Sequence, residues 1–496
     1  MVYNVDMKLE KTLFPLLFSC VALVVRATPT VSDVSMLPDF ASGAVTISYR
    51  LLDAPAIVTL DIQTNGPSGW ASIGGEHIDC FSSDSDVWKK VSGDGVHAIK
   101  WHPGQSWPGG KAVVSAWSPD NPPDYMVADL SSSAAANTER YYPSVEFLPG
   151  GLLENPAYRT TKLVMRKVMA AGRQWTMGTG SSGTQAAHAV TLADNYYIGV
   201  FEMTQAQWYQ VAGYKNFYFT TEGAMRPANC VCYNEIRCAS GNTKTWAGGN
   251  WPDPPYGGSF LDKLRNRTGL EFDLPGEAQW EYACRAGHAA NEWGTGVTIG
   301  SSDSDPNMPG RHRYNGGYRA GETADPPLAI GPTNATAIVG SYAPNSWGLY
   351  DMHGNVFELC LDWYEDNIVS LDGAVNIDQS APAKTLAGQV AGATRVRRGG
   401  SYHVGTGSSK PTGRLGADPA GRAQQWGFRV ACPAGNAATH AAASSGENDT
   451  PVALLAGTLS TATAALALDA RSCSVAESDA SELDTFPPKG MCLIFR

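Results

Sequence analysis

Apolar and polar side chains alternate at period two along Val45-Thr-Ile-Ser-Tyr-Arg-Leu51, and the alternation returns in Ile57-Val-Thr-Leu-Asp-Ile62 and Val96-His-Ala-Ile-Lys-Trp101. A pleated strand turns successive side chains to opposite faces, so this pattern predicts half-buried β-strands. Turn-forming clusters separate them: Thr64-Asn-Gly-Pro67, Gly93-Asp-Gly95 and Pro108-Gly-Gly110. Residues 28–135 are therefore expected to fold as a β-sandwich module. His97 and His102 fall on or beside one of its strands and are expected as ordinary strand-face residues. The small, unpatterned run Ser131-Ser-Ser-Ala-Ala-Ala-Asn-Thr138 predicts a linker, with a second domain over residues 155–433.

In that second region the period lengthens and helix-end signals appear. Thr204 with Gln207 forms a capping box ahead of Trp208. Ser259 caps another helix, with Leu261 and Leu264 on its buried side and Gly269 closing it. A third runs from Pro275 to Gly287, with Glu281 and Arg285 four residues apart. On it Trp280, Ala283 and Cys284 share one face, which is expected to be core. Elsewhere the region is short strands and Gly/Asn/Pro loops, and long loops need functional use or ion anchoring to offset their entropy.

Composition narrows the classes. A net charge of -11 and a pI near 5.3 argue against a nucleic-acid partner, which would favour a basic stripe, and the sequence has none. Lys8 and Lys11, the apolar run Thr12–Val25 and the small residue Ala27 predict a secretory signal over residues 1–27, hence a secreted or periplasmic protein. The alternatives are an uncleaved anchor, for which the run is short, and a lipoprotein acylated at Cys20, against which the bulk of Phe18 argues. Removal of Cys20 would leave an odd number of cysteines, so at least one free or intermolecular thiol is expected. Cys230, Cys232 and Cys238 lack a nearby histidine and are expected as disulfides or buried thiols rather than zinc ligands. Residues 434–496 form a tail of unassigned fold. Its Pro451–Ala470 stretch has too few large apolar side chains to predict a stable membrane span.

The segment richest in candidate chemistry is Asn345-Ser-Trp-Gly-Leu-Tyr-Asp-Met-His-Gly-Asn-Val-Phe-Glu358. Asp351 and Glu358 flank a Gly-Asn turn, and such a mixture of carboxylate and carbonyl oxygens suits a hard cation. Three further segments accompany it: Asn195–Trp208, Leu274-Pro-Gly-Glu-Ala-Gln-Trp-Glu-Tyr-Ala-Cys-Arg-Ala-Gly287, and Arg397-Arg-Gly-Gly-Ser-Tyr402 with Gly427-Phe-Arg429. In this order the four resemble the sulfatase-modifying-factor family, which includes the formylglycine-generating enzymes; the resemblance spans roughly residues 160 to 433.

The resemblance implies an α+β, C-type-lectin-like domain with little regular secondary structure, preceded here by a module of immunoglobulin or fibronectin type. It implies structural calcium held by side-chain oxygens of Asp351 and Glu358 and carbonyls of Gly354 and Val356. In the formylglycine-generating enzymes a cysteine pair just after Arg-Gly-Gly-Ser binds copper(I), and soft thiolates suit that ion. Here Val404 and Ser409 occupy those positions, so copper is not expected. An exported binding scaffold or divergent modifier follows, with an unknown protein or glycan ligand expected near Ser401, His403 and Trp426. The alternative is an oxidoreductase acting on sulfatases through an altered active site.

Overall fold

The computed structural model describes residues 27–435, apart from 40, 79–84, 104–108, 132–138, 182, 221–222, 239–254, 316–334, 365, 367–373 and 376–393, together with 473–477. The expected signal segment and nearly all of the tail lie outside the described residues.

The alternating segments form strands. β1 (Thr30–Asp39), β2 (Ala44–Leu52) and β6 (Gly95–Trp101) make one antiparallel sheet. β3 (Ala56–Gly66), β4 (Gly69–Ser72), β5 (Lys89–Val91), β7 (Lys111–Trp117) and β20 (Cys473–Glu477) make another. Ile47, Tyr49 and Leu51 from the first and Val58, Leu60 and Val114 from the second bury into one core. His97 is a strand residue, its Nδ1 2.9 Å from Asp86 and its Nε2 2.9 Å from the Gly93 carbonyl oxygen.

The expected boundary at residue 135 is crossed by a sheet. β8 (Tyr125–Asp129) and β9 (Glu139–Tyr142) pair with each other across the expected linker, and β8 also pairs with β10 (Lys162–Val168). With β13 (Tyr196–Gly199) and β19 (Ala431–Pro433) they form a five-stranded sheet ordered β19-β13-β10-β8-β9. The N-terminal core runs through this sheet: Tyr125, Val127, Val164, Val200 and Phe201 belong to the same buried cluster as Val58 and Leu60.

Beyond it the domain is loop-rich, with mixed sheets and few helices. β11 (Arg173–Met177), β12 (His188–Leu192) and β15 (Ala374–Val375) form one small sheet. β14 (Phe357–Trp363), β16 (Arg395–Arg398), β17 (Arg414–Ala417) and β18 (Trp426–Gly427) form another, ordered β17-β16-β14-β18. The helices begin where their caps predict. α1 (Gln205–Ala212) opens with the Thr204/Gln207 capping box, whose loss would cost about 1 kcal/mol. After the short α2 (Tyr233–Arg237), α3 (Phe260–Thr268) starts at Ser259 and stops at left-handed Gly269. α4 (Glu277–Arg285) begins one residue past Gly276, so Pro275 precedes the helix rather than entering it. Its Trp280, Ala283 and Cys284 are buried together. Between α1 and α3, Trp208 stacks on Phe260 at 4.5 Å and 9° and meets Phe428 edge-on.

Candidate functional site

The Asp351–Val356 turn sits at the junction of these elements because its backbone takes conformations few residues accept. Asp351, Gly354 and Asn355 have φ of 59°, 124° and 58°. A Cβ on Gly354 would lie 2.2 Å from the Arg311 carbonyl oxygen, so only glycine fits. Asn345 fixes the entry, accepting from the backbone N–H groups of Trp347 and Leu349 and donating to the Ala283 carbonyl on α4. Asn355 then ties together distant segments. Its Oδ1 accepts from Ala337 N–H, its Nδ2 donates to Glu202 at 2.6 Å, its N–H donates to Arg311 and its carbonyl accepts from Tyr402 N–H.

Three buried carboxylates meet one buried guanidinium at this turn. Arg429 donates to both oxygens of Glu358, each at 2.6 Å, and the indole N–H of Trp280 donates to Glu358 at 2.8 Å. Glu202 accepts from Asn355 and from the Val356 N–H. Asp351 accepts from Gly340 N–H through Oδ2, while its buried Oδ1 has no partner among the described residues. Burial, then the charges of Asp351 and Glu358, push Glu202 well above the usual carboxylate range. Burial pushes Asp351 up to about 6. Burial acts to lower Arg429, but Glu358 outweighs it and holds the guanidinium protonated.

Four residues were expected to hold calcium. Asp351, Gly354 and Val356 are close in sequence, and Asp351 keeps an unused buried oxygen; Glu358 is engaged by Arg429 and by the Trp280 indole, which leaves acceptor capacity on Oε1 alone. Hard oxygen donors and an excess of buried negative charge fit a divalent cation. No group of three or more His, Cys, Asp or Glu side chains placed to share a metal occurs among the described residues. Such an ion would therefore draw on backbone carbonyls beside Asp351.

The segment corresponding to the copper ligands offers no thiolate. Ser409, at the end of the short helix α5 (Thr406–Ser409), is fully buried; its hydroxyl donates to the Gly405 carbonyl and its own carbonyl lies 3.0 Å from Nδ1 of His353. His353 accepts the Gly294 N–H at Nε2, so its proton sits on Nδ1 and is donated to Ser409. Burial pulls this imidazole down to about 4, leaving it neutral. Cys284 lies 3.7 Å from Nε2 of His353, and burial pushes its thiol well above the ordinary cysteine range. A buried neutral thiol is a poor copper ligand and a poor nucleophile. Among the described residues Cys230 and Cys232 form no disulfide, and neither do Cys284, Cys360 and Cys432.

Of the three residues expected to contact a ligand, Ser401 and His403 follow β16 and Trp426 lies on β18. Ser401 is fully buried and its hydroxyl accepts the His403 N–H. His403 packs on Tyr402, whereas Trp426 lies on β18 beside Phe357, its carbonyl accepting from Cys230 N–H and its ring over Arg397. Glu202, Asn355 and Arg429 lie within the quoted motifs, but their roles emerge only from partners up to 230 positions away. No local pattern announces such a contact.

A loop-rich α+β domain organised on a buried Glu-Asp-Glu-Arg cluster, with mixed sheets and few helices, defines the class. Residues 153–434 match the model of the sulfatase-modifying factor enzyme 1-like domain. The chain belongs to that family. It is 36% identical over 150 residues to the formylglycine-generating enzyme of Thermomonospora curvata, covering 29% of this chain and 43% of that protein. It is 37% identical over 134 residues to the enzyme of Streptomyces coelicolor, covering 26% and 35%. The mouse formylglycine-generating enzyme is 26% identical over 304 residues, covering 55% of this chain and 73% of that one. The chain thus spans less than half the length of the two bacterial relatives.

Proposed function

We propose that this chain is an exported member of the sulfatase-modifying-factor family that binds a protein or glycan ligand and does not carry out copper-dependent formylglycine synthesis. The carrying observation is the pair Val404 and Ser409 at the position of the copper-binding cysteines. An alkyl group and a buried hydroxyl cannot replace two thiolates toward a soft ion. The C-type-lectin-like scaffold suits binding, and the N-terminal strands suit a β-sandwich accessory module. An oxygen electrode tests the reading: copper(I) plus a cysteine-containing sulfatase peptide should produce no protein-dependent oxygen consumption. Uptake dependent on protein, copper and peptide would instead favour an altered active site.

Calcium is part of the same proposal, with Asp351 and the carbonyls of Gly354 and Val356 as ligands and Glu358 contributing where Arg429 leaves lone pairs. An ion that binds only the folded state stabilises it, by about 2.7 kcal/mol at one hundred times its dissociation constant. Calcium should raise the melting temperature, a chelator should reverse the rise, and Asp351→Ala should abolish it. Identical melting of the wild type in calcium and in chelator would exclude the ion.

A further inference from the structure

Arg397 stands apart from the arginines around it. Arg398 is compensated by Glu277 and Glu281, Arg414 by Glu277, Arg422 by Glu235 and Arg429 by Glu358. Among the described residues no carboxylate pairs with Arg397. Its Nε donates to the Gly416 carbonyl at 3.1 Å, and its guanidinium carbon lies 4.5 Å from the Phe357 ring centre and 4.8 Å from that of Trp426. Burial pulls its pKa down to about 10, so the cation persists at neutral pH.

The surroundings keep this cation reachable. On β16, Arg397 pairs with Leu359 of β14 and Leu415 of β17, so the three side chains share a sheet face. Leu359 is buried, but Leu415 is 37% exposed and Arg397 and Trp426 are half-buried. The buried indole N–H of Trp426 has no acceptor among the described residues. Rings packed against a guanidinium occupy its faces and leave its edge, and Nε is already spent. What remains is the pair of terminal nitrogens, whose planar fork matches a carboxylate bidentately.

We propose that Arg397, walled by Phe357 and Trp426, is a binding site for a carboxylate group of an acidic ligand. The cation–π contacts hold the guanidinium without neutralising it, and partial desolvation strengthens each charge-assisted bond it makes. Tetrahedral oxyanions share the acceptor chemistry but not the planarity, so they are the comparison that tests the assignment.

The inference deepens the binding reading above and rests on it, and the two fail separately. Titration calorimetry on the full chain with succinate, its neutral diamide succinamide, and sulfate is the test. Succinate should bind saturably, succinamide should not bind, and sulfate should bind more weakly than succinate. Arg397→Gln should weaken succinate at least tenfold, and Arg397→Lys, which keeps charge without the fork, should weaken it severalfold while melting like the wild type in the absence of anion. Equal binding of succinate and succinamide, tighter sulfate, or undiminished binding by a folded Arg397→Gln or Arg397→Lys protein would overturn the proposal. Peptide oxidation by a chain that still binds succinate through Arg397 would overturn the functional reading and leave this site standing.

Discussion

Replacing Arg429 with methionine should destabilise the protein by about 3–5 kcal/mol, the cost of stripping a buried ion pair of one partner. The guanidinium faces Glu358, Glu202 and Asp351, each at most 1% exposed. It also donates to the Gly199 and Tyr350 carbonyls at 2.9 Å, joining three segments distant in sequence. Removing it leaves Glu358 with only the Trp280 indole and orphans two carbonyls. A loss of this size is a large share of a typical domain's 5–15 kcal/mol. Replacing Glu358 by leucine as well should recover part of the loss, because an apolar pair no longer strands a charge. Urea denaturation of the wild type, both single variants and the double variant measures the coupling. A cost below about 1 kcal/mol for Arg429→Met would mean that the ion pair does not organise the turn.

A fragment beginning at residue 136 should not fold cooperatively, although the family match begins only at 153. Such a fragment lacks β8, the strand between β9 and β10. Tyr125 and Val127 of β8 enter the N-terminal core, while Met126 and Ala128 enter the core around Trp208. Burying a valine or methionine contributes roughly 1.5–3 kcal/mol each, and the naked edge of β10 would invite association. Circular dichroism of the purified 136–435 fragment checks this: a broad, non-cooperative melt or insolubility is expected. A sharp transition matching that of the full chain would mean the upstream strands are dispensable.

What was legible in the chain was local chemistry. Thr204 with Gln207 and Ser259 with Gly269 place helix ends through hydrogen bonds to their own neighbours, so a few residues suffice to predict them. Period-two alternation located β2, β3 and β6 for the same reason. The linker expectation failed as a domain boundary because Tyr125-Met-Val-Ala-Asp129 is a continuous apolar run without alternation, the pattern of a strand buried on both faces. Its partner, β10, follows only after β9 and a long loop. Ser401 looked available as a small polar residue, yet the turn through Gly399 and Gly400, both at positive φ, folds it inside. Arg397 opens a quoted motif, but its distinguishing feature, the absence of a nearby carboxylate among the described residues, becomes visible only in three dimensions.

The proposed function keeps the family's fold and dispenses with its copper chemistry. The most direct measurement is the mass of a Cys-x-Pro-x-Arg peptide after incubation with the purified full chain, copper(I) and oxygen, alongside a formylglycine-generating enzyme that retains its cysteine pair. The peptide should emerge unchanged from this chain and converted by the comparison enzyme. Conversion of the peptide cysteine to an aldehyde by this chain would contradict that proposal.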